Sequence, residues 1–249
     1  MPVARIIKSI LPNTILKAIR SYRIKKDKTY RDLTTGEIFT KVYEEGIWGR
    51  SSDQAQKFYS GSGSHESEIV GGYVAGVREF LVSLEKKPDV VDLGCGDFFV
   101  GQNIREFCAS YVACDVVPSL IEFNKEKYKA CNVDFRVLDL ADDDLPKADI
   151  VFIRQVLQHL SNRHIANAIP KIANSYKFLV LTEHIPDSSK FVPNLDKPAG
   201  PGVRVALGSG LVLTKPPFNL KAKTERILCE VPEYGPFGGL LRTTLYQLS

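Results

Sequence analysis

Residues 89–184 alternate between short apolar runs and helical stretches, and this alternation constrains the fold more than any other feature of the chain. The runs predict five strands at 89–93, 111–115, 133–138, 148–153 and 177–184. Because these runs are continuously apolar and helices separate them, they predict a parallel sheet with both faces covered. Two later runs predict an antiparallel hairpin at 225–231 and 241–248. We therefore expect an α/β, doubly wound, Rossmann-like, mostly parallel seven-stranded sheet with an antiparallel C-terminal hairpin and an N-terminal helical extension.

Capping and breaker residues indicate where the helices begin and end. The predicted helices run from an N-cap at Ser64 to about Leu84, over 100–108, from Pro118 to about Lys129, and from an N-cap at Ser161 to about Ile169, where Pro170 ends or kinks the last one. Residues 36–65, rich in glycine, serine and aromatic side chains, are predicted to be a loop. Residues 185–224 are rich in proline and glycine, and their sequence predicts no regular element.

Basic residues are concentrated at the start of the chain. Residues 1–31 carry a net charge of +8, whereas the whole chain has +4, so the remainder sums to −4. Apolar residues recur at helical spacing around Pro12, which predicts a basic amphipathic extension over 1–35 ahead of a domain at 36–249. The extension either packs its apolar stripe on the domain or lies on an anionic membrane surface or a partner protein.

Hydropathy and cysteine usage predict a cytoplasmic protein. No apolar run approaches 18 residues and the first residues lack a cleavage signal, so we expect neither a transmembrane helix nor a secretory leader. The five cysteines are scattered and odd in number, which argues against a disulfide framework and against a zinc site. The protein is predicted to be reduced and cytoplasmic, and peripheral at the membrane if the basic extension binds lipid.

The sequence DLGCGDF after the first strand predicts a ligand-binding turn. Ligands of open α/β sheets bind at the carboxyl ends of strands, and Gly94 and Gly96 allow the backbone to approach closely. A dinucleotide site needs a third glycine where Phe99 stands, and its pyrophosphate would be repelled by Asp92 and Asp97. These carboxylates favour a cationic cofactor without phosphate, which is a description of S-adenosyl-L-methionine.

Acidic residues also follow the second and third predicted strands. Asp115 ends the second strand, where a carboxylate can accept both ribose hydroxyls of an adenosine, or can serve as a strand-end cap. Asp139 follows the third strand, where an adenine amino group is expected, or is a solvated loop charge. With their neighbours Val116 and Leu140, these residues are predicted to bind the nucleoside part of the cofactor.

Further cofactor contacts are predicted at the end of the fourth strand and in the loop before the domain. Arg154 and Gln155 end that strand and are expected to touch the cofactor or the acceptor, although a structural ion pair is an equal alternative for Arg154. Trp48, which is the single tryptophan, and Ser62 are predicted to form part of a lid or stacking surface over the ligand. Plain packing in the core is the alternative for Trp48.

Together these motifs resemble the class I S-adenosyl-L-methionine-dependent methyltransferases. The ordered set is similar to one subgroup, which is associated with surface-polysaccharide synthesis, over about residues 40–185. The motifs that match the subgroup are VYEEGIWG (42–49), SGSGS (60–64), CGDF (95–98), DVVPSLI (115–121), LPKAD (145–149), LQHLS (157–161) and PPF (216–218), whereas the LDL step (138–140) is similar to the class as a whole. Gln155 departs from the acid common in the subgroup, and 196–214 follows no subgroup pattern. The resemblance implies methylation of a sugar hydroxyl in a surface glycan or its precursor.

Methyl transfer to a sugar hydroxyl requires alignment of the reacting atoms and removal of a weakly acidic proton. His159 follows the fourth strand, and its ordinary pKa of about 6.5 suits a general base, so we predict it as the base with Arg154 as a second catalytic residue. The alternative is that His159 only packs in its loop. Glu183 and His184 end the fifth strand and are candidates to orient hydroxyls or hold a divalent cation. Two residues make a poor metal site, and we predict no metal.

Three other functions stay open at this point. A small-molecule or lipid O-methyltransferase would carry the same motifs and differ only in its acceptor. A cofactor-binding scaffold would use residues 1–31 to recruit a glycan-assembly complex, or a glycosyltransferase within it, to the membrane. A nucleic-acid substrate is disfavoured, because an amino-methylating enzyme carries Asn/Asp-Pro-Pro-aromatic where this chain has IRQVLQ, although the basic extension could bind RNA by charge.

Overall fold

A computed structural model describes residues 28–51, 53, 56–187, 191–233 and 237–248. The amphipathic helix predicted at the start of the chain, with its membrane and partner contacts, lies almost wholly outside the described residues. Within the described part, one sheet has the strand order β3-β2-β1-β4-β5-β7-β6. Strands β1 to β5 are mutually parallel, and β7 lies antiparallel between β5 and β6. The predicted seven-stranded α/β sheet with a C-terminal hairpin is therefore confirmed.

Each predicted strand is present within two residues of its expected bounds. The strands are β1 Asp89–Leu93, β2 Ser110–Asp115, β3 Asp134–Val137, β4 Ile150–Arg154, β5 Phe178–Ile185, β6 Thr224–Pro232 and β7 Leu240–Gln247. Val90 and Val91 on the central strand β1 are both fully buried and belong to different core clusters. Successive side chains of a strand point to opposite faces, so both faces of the sheet are covered and the apolar runs are continuous.

Four α-helices pack on this sheet in the described part of the chain: α1 Thr35–Glu44, α2 Ser67–Val82, α3 Pro118–Lys127 and α4 Asn162–Ser175. Buried residues of α1 and α4 share one core cluster with Val91, whereas those of α2 share the other with Val90. The helix α3 contributes Leu120 to the first cluster and Ile121 to the second. The helices thus leave the carboxyl ends of the parallel strands as the open edge where a ligand can enter.

The helix α1 corrects the prediction of a loop over residues 36–65. Thr34 caps it, and the Thr34 backbone N–H in turn donates to the Glu37 carboxylate Oε2 at 2.8 Å. This T-x-x-E capping box, followed by the apolar residues Ile38, Phe39 and Val42, was a readable helix signal. The glycines further along the segment concealed it, because they dominate the composition of the stretch as a whole.

Two other helix predictions differ from the structure, one in where the helix begins and one in the type of helix. The helix α2 begins at Ser67 rather than after Ser64, because the Ser64 hydroxyl accepts a bond from Arg154 at 3.1 Å instead of capping the helix. Residues 100–108 form two 3₁₀ turns rather than an α-helix. There the side-chain amides of Gln102 and Asn103 both donate to the Phe99 carbonyl. In an α-helix this carbonyl would instead accept a backbone N–H.

Pro170 does not end α4, which continues to Ser175. Ser161 caps the helix as predicted, since its hydroxyl accepts a bond from the His164 N–H at 3.4 Å. The apolar face of α4 buries Ile165, Ala168 and Ile172, and the last of these lies beyond the proline. Burial of that face offsets the backbone hydrogen bond that proline removes.

Candidate functional site

A cavity of about 500 Å³ lies at the carboxyl ends of β1, β2 and β4. A volume of this order suits a cofactor-sized ligand. Its wall contains every residue that the sequence predicted to bind the cofactor or to take part in catalysis: Trp48, Ser62, Asp92, Gly94, Gly96, Asp97, Asp115, Val116, Asp139, Leu140, Arg154, Gln155 and His159. The structure therefore brings these residues together, while the role of each one stays a prediction.

The glycine turn offers backbone directly to the cavity. Gly94 and Gly96 both have positive φ, at 81° and 56°. A Cβ at Gly94 would collide with the Val156 side chain, and one at Gly96 would lie 2.5 Å from Ser60 Oγ. Only glycine satisfies both the conformation and the space at these positions. The turn is thus a cradle that a larger residue would fill, as the predicted cofactor requires.

Asp115 ends β2 beside this turn and is buried. Its Oδ2 accepts the Gly96 N–H and its Oδ1 accepts the Val117 N–H, both at 3.1 Å. Burial raises its pKa to about 6, against the lowering effect of these N–H groups. Each oxygen keeps a second lone pair, so the carboxylate can accept two further hydrogen bonds from neighbouring hydroxyls. These two free acceptor positions fit the two ribose hydroxyls of an adenosine.

Asp92 is a buried residue near the end of β1, and it accepts a hydrogen bond from the Tyr111 hydroxyl at 3.0 Å. Burial raises its pKa to about 7, although Tyr111 and the nearby charge of Arg154 act in the opposite direction. The charged form of a buried carboxylate at the cavity wall is stabilised most by a cation placed next to it. The site therefore fits a positively charged ligand better than a phosphate.

The raised pKa of Asp92 predicts how stability depends on pH. The folded protein holds this proton up to about pH 7, whereas the unfolded chain releases it near pH 4, so stability falls as pH rises from about 4 to 7 and levels off by about pH 8. For the last part of this window, between pH 6 and 8, we expect a loss of about 1 kcal/mol, or roughly 2–4 °C in melting temperature, for the ligand-free protein. The Asp92→Asn variant should show a flatter profile in calorimetry. An Asp134→Asn control, at an exposed position, should follow the wild type, and equal slopes for all three would contradict the assignment.

Asp97 lines the cavity, but its carboxylate serves the segment 56–65. Its Oδ2 accepts the Ser60 N–H at 3.1 Å and the Gln56 amide at 3.3 Å, and it pairs with His65 Nε2 at 2.6 Å. These bonds hold the segment 56–65 over the glycine turn. Asp97 thus lies at the cavity wall, where the sequence predicted it. Its carboxylate, however, bonds to the covering segment.

Arg154 ends β4 and is half-buried. It donates to Ser64 Oγ at 3.1 Å and to the Gly63 carbonyl, and it lies 5.0 Å from the centre of the Tyr73 ring. Among the described residues it forms no ion pair, and its Nε has no hydrogen-bond partner, so the ion-pair alternative is wrong. Burial lowers its pKa from the ordinary value. A half-buried cation with a spare donor at the cavity wall can hold a carboxylate.

Asp139 connects α1 to the loop after β3. Its Oδ2 accepts the Thr35 hydroxyl and its Oδ1 accepts the Ala141 N–H at 2.8 Å. A solvated loop charge is therefore the wrong interpretation, because the carboxylate is engaged. Leu140 is buried next to it, and Val116, which also lines the cavity, is partly buried.

Aromatic rings form the other end of the cavity. The ring of Trp48 lies 5.0 Å from the ring of His159, 5.4 Å from Tyr43 and 5.9 Å from Phe39. Its Nε1 donates to the Pro201 carbonyl at 3.4 Å. Trp48 is thus packed against its neighbours and also exposes part of its ring to the cavity. Packing of Trp48 is therefore observed, and its role in stacking on a ligand stays a prediction.

His159 is buried at this aromatic end, on the 3₁₀ turn Leu157–His159. Burial, with a smaller contribution from Lys197, lowers its pKa to about 3. The argument from an ordinary pKa near 6.5 is therefore wrong, and the imidazole is neutral at pH 7. Its assignment as the base stays a prediction, now for a base of low pKa.

The two candidates at the end of β5 divide in role. Glu183 does not reach the cavity, since its carboxylate accepts the N–H groups of Leu157 at 3.0 Å and Gln158 at 3.1 Å. His184 does line the cavity, and its Nε2 shares a hydrogen bond with the Gly238 carbonyl at 2.7 Å. In the described parts of the chain, no group of three or more His, Cys, Asp or Glu is arranged to hold a metal ion.

Several wall residues were missed from the sequence. They come from α1, from the segment before residue 204 and from the hairpin between β6 and β7: Phe39, Tyr43, Pro201, Val203, Glu233 and Phe237. The capping box of α1 was the available signal for the first two. The others lie more than 40 residues from the nearest predicted site residue or in stretches without a pattern, so only the tertiary structure locates them.

Comparison with known families agrees with this geometry. Residues 91–177 match the model of a methyltransferase domain family. The segment includes the glycine turn, Asp115, Asp139, Arg154 and His159. With the strand order above, the match shows that this segment is similar to class I methyltransferases, a family that uses S-adenosyl-L-methionine. The predicted cofactor is confirmed at this level.

Individual relatives are distant. A malonyl-[acyl-carrier protein] O-methyltransferase of Acetivibrio thermocellus is 26% identical over 102 residues, which are 39% of this chain and 35% of that protein. The match thus spans about a third of the relative's length. The structure of the N-methyltransferase NodS from Bradyrhizobium japonicum, in complex with S-adenosyl-L-homocysteine, has a TM-score of 0.53 at 13% identity and covers 73% of this chain and 89% of that one. Magnesium protoporphyrin IX methyltransferase from Synechocystis, with the same ligand, has a TM-score of 0.54 at 17% identity, over 89% and 99%.

These proteins differ in the atom that they methylate, since they include both O- and N-methyltransferases. They say nothing about a sugar acceptor. Within the part of the chain that the structure describes, no helix is long and apolar enough to cross a membrane.

Proposed function

We propose that this chain transfers a methyl group from S-adenosyl-L-methionine to a hydroxyl of a sugar, in a surface glycan or its precursor, and that it does so in the cytoplasm. The observation that carries the proposal is the pairing of the Gly94–Gly96 cradle with the buried Asp115 at one end of a cavity whose other end is aromatic. The ordered motifs shared with the polysaccharide-associated subgroup support the sugar acceptor.

The residues at the cofactor end fit each part of the molecule. Asp115 would accept the ribose hydroxyls, and Asp92 would face the ammonium group. Arg154, with its spare Nε donor, would hold the carboxylate, while Leu140 would pack on the adenine. When bound, the cofactor supplies an electrophilic methyl group on a positively charged sulfur.

The residues at the aromatic end fit a sugar. An exposed part of the Trp48 ring offers a flat apolar surface to the C–H face of a pyranose, and the neighbouring His159 offers a neutral imidazole to its hydroxyl. A hydroxyl proton becomes strongly acidic as the new bond to its oxygen forms. A base with a pKa of about 3 can therefore accept it late in the transfer, and before that it orients the oxygen by hydrogen bonding.

A second candidate is methylation of an acceptor that is already ionised, such as a carboxylate on a small molecule, lipid or carrier. The low pKa of His159 favours it, because such an acceptor needs no base. The O-methyltransferase of malonyl-[acyl-carrier protein] among the relatives is consistent with this class. The scaffold hypothesis depends on residues 1–31, of which 1–27 lie outside the described residues.

Acceptor screening tests the proposal. Wild-type protein is incubated with S-adenosyl-L-methionine and either free sugars, nucleotide sugars and oligosaccharides or lipids and small carboxylates, and the release of S-adenosyl-L-homocysteine is measured. We expect release above background with at least one sugar, and loss of that signal in Asp115→Ala. Turnover confined to the carboxylates would select the second candidate. Cofactor binding without turnover of any acceptor would contradict both.

A further inference from the structure

Both ends of the turn that carries His159 are held by buried ionisable side chains from distant segments. At its start, Glu183 accepts two backbone N–H groups, from Leu157 to Oε1 at 3.0 Å and from Gln158 to Oε2 at 3.1 Å. At its end, Arg204 Nη2 donates to the Leu160 carbonyl at 2.6 Å. Glu183 and Arg204 are 2% and 0% exposed, so neither bond competes with water.

The middle of the turn is held as well. The carbonyl of His159 accepts the Gly200 N–H at 2.9 Å and the Lys197 ammonium at 3.3 Å. Arg204 also donates to the Leu195 carbonyl, which fixes it within its own segment. Residues 195–204, for which the sequence predicted no element, therefore form the outer support of this turn.

The signs of the charges suit the turn. Peptide dipoles place partial positive charge at the start of a helical turn and partial negative charge at its end. The Glu183 carboxylate lies at the start, and the Arg204 guanidinium lies at the end. Charges buried this deeply are costly unless hydrogen bonds and an opposite charge compensate them. Burial raises the pKa of Glu183 to about 8, against the effects of Arg204 and of the two N–H groups, and it lowers the pKa of Arg204 to about 10, against the effect of Glu183.

Neither residue is part of the cavity wall. A contribution to cofactor or acceptor binding by direct contact is therefore excluded for both. What they determine is the position of the turn, and with it the separation of 5.0 Å between the rings of His159 and Trp48 at the aromatic end of the cavity.

We propose that Glu183 and Arg204 are positioning residues, which clamp the turn Leu157–His159 from both ends and thereby set His159 against the acceptor. The part of this inference that concerns turnover rests on the proposed function. The part that concerns the geometry of the turn does not, because it can be measured without an acceptor.

The test is Glu183→Gln in the full chain. Glutamine retains one acceptor oxygen, but its amide group faces the second backbone N–H, so the turn loses one bond and gains a donor–donor contact. We expect kcat to fall about 10- to 100-fold at an unchanged KM for S-adenosyl-L-methionine, as for a small misplacement of a reacting group. Affinity for S-adenosyl-L-homocysteine should stay within about threefold, because the clamp is remote from the cofactor end.

Fluorescence provides a readout independent of turnover. Trp48 is the single tryptophan of the chain, and its ring contacts His159. We expect Glu183→Gln to change the emission maximum and intensity of the folded protein. A matched control is Thr182→Val, which lies on β5 next to Glu183. It removes the buried hydrogen bond of 2.9 Å between the Thr182 hydroxyl and the Thr243 hydroxyl on β7, and it leaves the turn untouched. The control should keep the wild-type spectrum and kcat.

A double variant covers the case in which the unpaired Arg204 charge unfolds the single variant. Glu183→Gln with Arg204→Met removes both charges and should restore folding while kcat stays low. A wild-type spectrum and kcat in a folded Glu183 variant would overturn the inference, as would the same changes in Thr182→Val. If no acceptor is methylated by the wild type, the proposed function fails, and the spectra alone decide whether the clamp sets the turn.

Discussion

Replacing Asp115 by alanine is expected to weaken binding of S-adenosyl-L-homocysteine by at least 100-fold. The carboxylate is buried and would accept two ribose hydroxyls, and a hydrogen bond to a charged group contributes about 1.5–3 kcal/mol. Loss of both therefore costs roughly 3 kcal/mol or more, which is two or more orders of magnitude in affinity. Calorimetric titration of the purified protein measures it directly.

The design must separate loss of the ligand contact from collapse of the glycine turn. Asp115 also accepts the N–H groups of Gly96 and Val117, so Asp115→Asn, which keeps the shape and one acceptor oxygen, should give an intermediate loss. Asp134→Asn, at the exposed start of the neighbouring β3, is the matched control and should bind as the wild type does. Failure of the folded wild type to bind would reject the cofactor, and full affinity in Asp115→Ala would reject the residue.

Replacing His159 by alanine is expected to lower kcat by about 10²- to 10⁴-fold, the range typical of a lost general base, with little change in affinity for S-adenosyl-L-homocysteine. The reason is its place at the aromatic end of the cavity, away from Asp115 at the cofactor end. His164→Ala is the matched control, because that histidine lies in the first turn of α4 and outside the cavity wall. Retained turnover in His159→Ala would show that the imidazole only packs.

The pH dependence of kcat distinguishes the ordinary pKa of a histidine from the lowered pKa of His159. An ordinary imidazole would give an inflection of kcat near pH 6.5, with activity lost below it. With a pKa of about 3, His159 stays deprotonated across the range, and we expect kcat to be flat between pH 5 and 8. The cofactor must be saturating, because Asp115, with a pKa of about 6, and Asp92, with about 7, take up protons in this range and weaken binding as pH falls.

The strands were predictable and several helices were not, for a physical reason. A parallel strand buried on both faces needs a continuous apolar run, as in β1 and β4, and few other structures accept such a run. Helix bounds depend on single hydrogen bonds. The competition of Gln102 and Asn103 for one carbonyl, or the use of the Ser64 hydroxyl by Arg154, is decided by tertiary contacts that composition does not report.

The cofactor end of the site was predictable for a related reason. The carboxyl ends of parallel strands meet at one edge of the sheet, so residues that follow β1, β2 and β4 converge whatever the details of the loops. Asp115 and Arg154 therefore share a cavity, as their places at strand ends indicated. The ion-pair alternative for Arg154 could be rejected only when its neighbours proved to be a hydroxyl, a carbonyl and an aromatic ring.

The sequence by itself determined the sheet, the glycine turn and the preference for a cation over a phosphate, because each depends on residue type and on short spacing along the chain. Only the tertiary structure decided the state of the charged groups. The pKa of His159 falls through burial beneath α1 and beside Lys197, and Glu183 turns from the cavity to the backbone of a turn held on its far side by Arg204. Burial and the partner of a charge depend on segments brought together from across the chain, and local sequence carries no record of them.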